Sequence, residues 1–310
     1  MENISILLLA LAIDVTWGEF PRHVHPVVWL GKVISLELRV APRQSRWAQL
    51  VYGAGMVILK IALFALPAYF LLAYLRGVNT VAYVLVAAFL LKSTFSIKEL
   101  HRVAFRIKGF LEEGNVSRAR VEVGSLVSRD TSRLDEPHLV SAAVESIAEN
   151  ASDSLVAALF YFLLLGVPGS IAYRVSNTFD AMVGYHGEYE YLGKFAARLD
   201  DVLNFIPARI SGLLMVTAAY LCQKDGRNAW QIMLRDHGKT ESPNAGWPMS
   251  ATAGALRTQL KKVGHYSLGN SNNPPSLQLI SSGIKLVEIS ALLWASFCLI
   301  VEVMHFVFIT

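Results

Sequence analysis

Two runs in this sequence, residues 54–75 and 286–309, are too long and too apolar for strands or surface helices. Each reaches the roughly 20 residues that a helix needs to cross a bilayer. In lipid, a helix also satisfies its own backbone polar groups. The second run carries Glu288 and Glu302 as its only acids. Shorter apolar segments lie at 4–13, 80–91, 155–172 and 205–222, and 155–172 is interrupted by Gly166, Pro168 and Gly169. Composition agrees: 54% of residues are hydrophobic and only 17% charged, where soluble domains carry about a quarter. The expected class is an all-α, polytopic integral membrane protein with about four to six membrane segments and interfacial polar helices. It reads as one membrane-embedded domain over 1–310, multi-pass in the cell membrane, with polar insertions near 92–154, 173–204 and 223–285. The N-terminal run lacks a positive flank and carries Glu2, so a short retained helix is expected rather than a cleaved leader.

The net charge of +4 does not call for nucleic acid as a partner, because the basic residues sit mostly in loops, where they set topology and meet lipid headgroups. Lys and Arg number five in 14–50, nine in 92–154 and eight in 223–285, but only three in 173–204. If every segment from residue 54 onward crosses, the three basic regions share the cytoplasmic side and the acidic 173–204 region lies opposite. That would split the polar motifs across the bilayer. A re-entrant hairpin tipped by 166–169, with Pro207 breaking the start of the following segment, removes the conflict. Cys222 and Cys298 lie in apolar segments without metal-ligand spacing and are expected buried and reduced.

Between the apolar segments, 96–111 has a basic amphipathic pattern that suits either the membrane interface or a packed subdomain, and 116–127 reads as a second helix. The segment 264–276 resembles a disordered loop. After an N-cap candidate at Asp135, with Pro137 in the first turn, His138, Ser141, Glu145, Glu149 and Asp153 recur at three- and four-residue steps and share a helix face, with Asn150 beside them. Such a stripe is either a solvated face or a set of oxygen ligands of the kind magnesium takes. The stretch 173–209 holds Asn177, Asp180, Glu188, Glu190, Arg198, Asp200, Asp201, Asn204 and Arg209 between two apolar segments, where charge is costly and commonly functional; an interfacial ion-pair network is the plainer alternative. Ser242, Pro243, Asn244, Gly246, Trp247 and Pro248 describe a rigid loop able to recognise a flat, amide-rich ligand, or simply a packed turn. His23 and His25 are too sparse for a metal site. No phosphate loop, GxGxxG turn, GxSxG elbow or paired CxxC is present.

The segments SRDTSRLDEPHLVSAAVESIAEN, SNTFDAMVGYHGEYEYLGKFAARLDDVLNFIPAR and SPNAGWPMSATAGAL, with the front stretch AIDVTWGEFPRHVHPVVWLGKVI, closely resemble the adenosylcobinamide-phosphate synthase family of cobalamin biosynthesis. The likeness spans about residues 10–260. Two departures stand out: Gly18-Glu19-Phe20-Pro21 where the family usually has Gly-Asp-Pro, and Ser154 after Asp153 where it usually has glycine. The resemblance implies a membrane ligase joining (R)-1-amino-2-propanol, or its O-phosphate, to a propionate of adenosylcobyric acid, with ATP and Mg2+ as requirements. It leaves open contact with other corrinoid-pathway enzymes and self-association. Under it, Glu145, Glu149, Asp153, Asp180 and Asp201 are the expected catalytic groups. Asn150, Asn177, Arg198, Asn204, Arg209, Ser242, Asn244 and Trp247 are the expected substrate contacts, and Asp200, Asp201, Glu145 and Glu149 the expected magnesium ligands. Competing readings are a membrane transporter or signalling subunit, for which Glu288 and Glu302 would serve ion coupling, and a lipid-modifying transferase.

Overall fold

The computed structural model describes residues 1–310 except Arg22, Ser128, His186, Glu188, Asn272 and Thr310, so Glu188 of the acidic stretch lies outside the described residues. The chain is almost entirely helical and divides into two compact units, each assembled from separated stretches.

Unit 1 comprises 1–96, 157–204 and 297–310. Its helices are α1 (Glu2–Thr16), α2 (Pro26–Arg39), α3 (Arg46–Val78), α4 (Thr80–Lys92), α8 (Ala157–Val183) and α9 (Lys194–Leu203). The ends are set locally. Ser45 Oγ accepts the Ala48 N–H at 3.4 Å to cap α3, and Asn79 Oδ1 accepts the Ala82 N–H at 2.9 Å to start α4. Helix α3 packs on α8, α9 and α4, while α1 packs on α4. Small residues allow the close approaches: a Cβ on Gly53 would stand 1.9 Å from the Leu192 carbonyl oxygen. Helix α8 breaks at Gly166, whose φ of 68° is open to glycine at little cost. The re-entrant hairpin expected at 166–169 is not formed: the chain is kinked there and runs on as the same helix, because glycine allows the break without reversing the chain.

Unit 2 comprises 97–156 and 205–296. It holds α5 (Lys98–Glu112), α6 (Val116–Gly124), α7 (Glu136–Ala151), α10 (Phe205–Leu221), α11 (Gly226–Asp236) and α12 (Gly246–Ala255). Most of α13 (Leu277–Ile309) also belongs to it. Its core joins Val103, Ile107, Val123, Val144, Ile147, Met215 and Ile284. Helix α5 sits in that core against α6 and α7, which accounts for its apolar face. Asp135 caps α7 by accepting the His138 N–H at 3.1 Å. The helix is buried nearly all round, so its polar stripe is not a solvated face.

The expected loop at 264–276 instead begins with half of a hairpin, β1 (Gln259–Lys262) paired antiparallel with β2 (Tyr266–Gly269). Leu260 and Leu268 face each other and are fully buried. Asp236 fixes β2 to the end of α11. It takes Nε and Nη2 of Arg235 at 2.7 Å each, Lys239 Nζ at 2.5 Å and the Gly269 N–H at 2.8 Å. Burial pushes this carboxyl up, but those donors outweigh it and hold it at about 2.

Among the described residues three helical stretches, Arg46–Val78, Glu136–Val183 and Leu277–Phe308, are long and apolar enough to cross a membrane. The pair α9 and α10 makes a fourth if counted as one broken span. That is the lower end of the expected four to six. The break falls at Asn204, just before Pro207, much as the sequence suggests.

Candidate active site

In unit 2, Arg209, Asn244 and Trp247 come together. Arg209 lies one turn after Phe205 on α10, so its guanidinium folds back over that ring, 3.5 Å from the centroid, and stands 4.8 Å from the Trp247 ring. Nη1 donates to the Phe205 carbonyl at 2.5 Å and to Asn244 Oδ1 at 3.4 Å, and the guanidinium makes no other hydrogen bond among the described residues.

The loop beneath is rigid for a chain of local reasons. Thr240 Oγ1 donates to the Ser242 carbonyl at 2.7 Å. Ser242 Oγ accepts the Asn244 N–H at 3.2 Å, and the Asn244 carbonyl accepts the Trp247 N–H at 3.1 Å. A Cβ on Gly246 would stand 2.0 Å from the His237 carbonyl oxygen, so only glycine lets the two segments meet there. His237 stacks on Trp247 with centroids 4.0 Å apart and rings 16° from parallel. The Trp247 Nε1–H is buried without a hydrogen-bond partner among the described residues. An unmet buried donor beside a half-buried guanidinium suits an incoming acceptor. His237 was missed from sequence, since a ring stacked ten residues before its partner leaves no periodic trace.

The α7 stripe has a different character. Glu145 is 2% exposed and takes three donors: Ser141 Oγ at 2.7 Å, Arg129 Nη2 at 2.8 Å and the Tyr266 hydroxyl at 2.9 Å. Ser141 Oγ in turn accepts the Lys261 N–H at 2.8 Å. Burial, then the adjacent Glu145 charge, keeps the Tyr266 phenol far above its ordinary range and so a donor. Glu145 thus pins α7 to the hairpin and the 129 loop. Asn150 turns back to the Ser146 carbonyl at 2.9 Å. Glu149 and Asp153 are half-buried, Asp153 within a π turn at Ser152–Val156; such turns collect at functional sites.

Unit 1 gathers the rest. Asn177 Nδ2 donates to Asp200 Oδ1 at 3.3 Å and Asn204 Nδ2 to Asp200 Oδ2 at 2.8 Å. The Tyr173 hydroxyl donates to Asn204 Oδ1 at 2.9 Å, and Arg174 Nη1 to Asn177 Oδ1 at 3.2 Å. Arg198 pairs with Asp201 at 3.6 Å in an exposed i,i+3 bridge, the plainer reading of that pattern. Asp180 is half-buried at the end of α8, and a Cβ on Gly184 would meet its Oδ1 at 2.0 Å. A further cluster joins the polar residues of the N-terminal stretch to a lysine that the sequence did not mark. Lys92, fully buried, stands 3.1 Å from both Asp14 Oδ1 and Glu19 Oε1, and Glu19 also pairs with His25.

Residues 7–293 match the family model described as CobD/Cbib protein. "Cobalamin biosynthesis protein CobD" of Dehalococcoides mccartyi is 53% identical, the match covering 95% of this chain and 96% of the relative. A "Probable cobalamin biosynthesis protein CobD" of Methanothermobacter thermautotrophicus is 41% identical over 95% and 96%. Another of Pyrococcus furiosus is 42% identical over 84% and 86%. No solved structure matches the chain. The chain belongs to the CobD/Cbib family. Its role is in cobalamin biosynthesis, as the sequence resemblance anticipated.

The acids expected to hold magnesium do not gather into a metal site of their own among the described residues. Among the described residues no group of three or more His, Cys, Asp or Glu is placed to hold a metal. Glu145 already accepts from three side chains, and both Asp200 oxygens accept from amides. Of the four expected metal ligands, Glu145 and Asp200 are therefore engaged by neighbouring side-chain donors. The acids behind the transporter reading are also engaged: Glu288 with His101 Nδ1 at 2.5 Å, and Glu302 with Asn3 Nδ2 at 3.1 Å.

Proposed function

We propose that this protein carries out the amide-forming step of cobalamin biosynthesis, attaching (R)-1-amino-2-propanol or its O-phosphate to a propionate of adenosylcobyric acid. The observation that carries this reading is the Arg209 clamp, with its fork edge beside the buried, unmet Trp247 donor. A guanidinium between aromatic faces suits a phosphate or carboxylate, which it engages through paired hydrogen bonds. The indole and the Asn244 amide suit the rim of a flat, amide-bearing macrocycle.

A propionate does not condense with an amine unaided. In this reading the carboxylate oxygen attacks the γ- or α-phosphorus of ATP, giving an acyl phosphate with loss of ADP or an acyl adenylate with loss of pyrophosphate. The amine nitrogen attacks the carbonyl carbon, the C–O bond to phosphate or AMP breaks, and the amine proton passes to a carboxylate. Glu149 and Asp153 are assigned that last role, because they are the half-buried acids of the α7 stripe, whereas Glu145 positions the hairpin. Any magnesium arrives on the nucleotide phosphates, and no step is assigned to a chain-bound ion.

Complementation tests the reading. A corrinoid auxotroph lacking this step should grow on cobyric acid when it expresses this gene, and Arg209→Ala should slow that growth. Rescue by cobinamide alone, with verified membrane expression, would refute it.

A further inference from the structure

Unit 2 contains a cavity of about 530 Å³ that shares no lining residue with the Arg209 clamp. Helices α10 and α12 end at its wall in the same way. The Lys224 N–H donates to the Ala219 carbonyl at 2.8 Å, and the Thr258 N–H to the Ala253 carbonyl at 3.1 Å. In this helix ending the residue before the donor is left-handed and usually glycine. Here those residues are Gln223 and Arg257, with φ of 54° and 50°, the two non-glycine residues of positive φ among the described residues. Both line the cavity. Left-handed backbone is costly for a residue with a side chain and collects at functional sites. Two long polar side chains held that way on one wall mark a ligand surface.

The charges select the ligand. Asp225 Oδ2 accepts from Nε of Arg257 at 2.7 Å and lies 2.6 Å from its Nη2, while Oδ1 accepts the Asn228 N–H at 2.9 Å. That carboxylate is occupied, and it fixes Arg257 in place. Nη1 of Arg257 and the Lys224 ammonium make no hydrogen bond among the described residues, which leaves the cavity one positive charge in excess. Helices α11 and α13 begin here where α10 and α12 end, so their dipoles offset and the side chains decide the sign. Ala255, Leu256 and Leu279 form an apolar wall. The volume lies within the ~300–1,000 Å³ of small-molecule sites, with room for an organic part beside an anion. We propose that this cavity binds the phosphate ester of a small soluble molecule. Lys224 and Nη1 of Arg257 hold the phosphate, Gln223 lends its amide, and the organic part lies on the apolar wall. The inference does not rest on the ligase reading.

The test titrates phenyl phosphate and inorganic phosphate into the purified full chain in mild non-ionic detergent, followed by calorimetry. Phenyl phosphate should bind at least tenfold more tightly than inorganic phosphate. Lys224→Gln, which removes an exposed and unbonded ammonium, should weaken phenyl phosphate at least tenfold, and Arg209→Ala should leave its affinity unchanged. Gln223→Gly should raise Tm yet weaken binding about threefold, so that loss of the ligand cannot be laid to misfolding. Absence of binding, or an affinity unmoved by Lys224→Gln, overturns the proposal. Loss of binding in Arg209→Ala alone overturns it by placing the ester at the clamp. Displacement of phenyl phosphate by phosphatidylglycerol but not by phosphatidylcholine also overturns it, by making the phosphate that of a lipid headgroup.

Discussion

Lys92 shows how one residue can hold several segments. Its ammonium is fully buried, and the charges beside it, Asp14 and Glu19, come from the end of α1 and the loop after it. Removing one partner of a buried ion pair costs about 3–5 kcal/mol, chiefly because the other charge is stranded. Lys92→Met should therefore lower the unfolding free energy by about that amount, read from thermal unfolding in detergent. Glu19 adds a pH dependence. Burial pushes its carboxyl up, but the His25 hydrogen bond and the Lys92 charge outweigh burial and hold it at about 2, against 4.5 unperturbed. A depressed folded value gives stability that is full above about pH 4.5 and lost as pH falls toward 2. The Tm of the wild type should fall across that window, and Glu19→Gln should flatten the fall. Neither Lys92 nor His237 was legible in the sequence, since each acts through neighbours that chain spacing does not bring together. Arg209, Asn244 and Trp247 were legible because proline, glycine and an isolated charge beside apolar runs mark where backbone and side chain are constrained.

Among the elements, small residues decide how closely helices meet. Gly53 and Gly55 are two positions apart on α3, yet a Cβ at Gly53 would collide with the Leu192 carbonyl, whereas Gly55 has nothing within 4 Å. Gly55→Ala should leave Tm unchanged or raise it, by about 0.5–1 kcal/mol of helix propensity. Gly53→Ala should lower it by more than that gain. Equal effects at the two sites would show that α3 does not approach residue 192 this closely. Helix positions were readable from periodicity and caps, Asp135 above all. The hairpin was not: Tyr266-Ser-Leu-Gly beside an Asn- and Pro-rich run looks like loop, and its strands exist because Leu260 and Leu268 are buried together and Asp236 holds the Gly269 N–H. The π turn after Ala151 was likewise invisible, because it needs no special composition.

Across the whole molecule, the polar regions 97–156 and 223–285 share one core, which predicts that both lie on the same side of a bilayer. Val121 and Val263, 77% and 59% exposed, report on this directly. With Cys222 and Cys298 replaced, Val121→Cys and Val263→Cys should react with an impermeant maleimide from the same side of sealed vesicles; labelling from opposite sides would break unit 2 as described. The remaining question is chemical. The most direct measurement is ligation by the purified chain in nanodiscs, given adenosylcobyric acid, ATP, magnesium and either amine, with product mass as the readout. Amide product is expected. Arg209→Ala should raise KM for the phosphorylated amine about 10–100-fold, as loss of charge-assisted hydrogen bonds implies, and Arg209→Lys should not restore it. A folded, lipid-embedded protein that yields no amide with either amine would contradict the account.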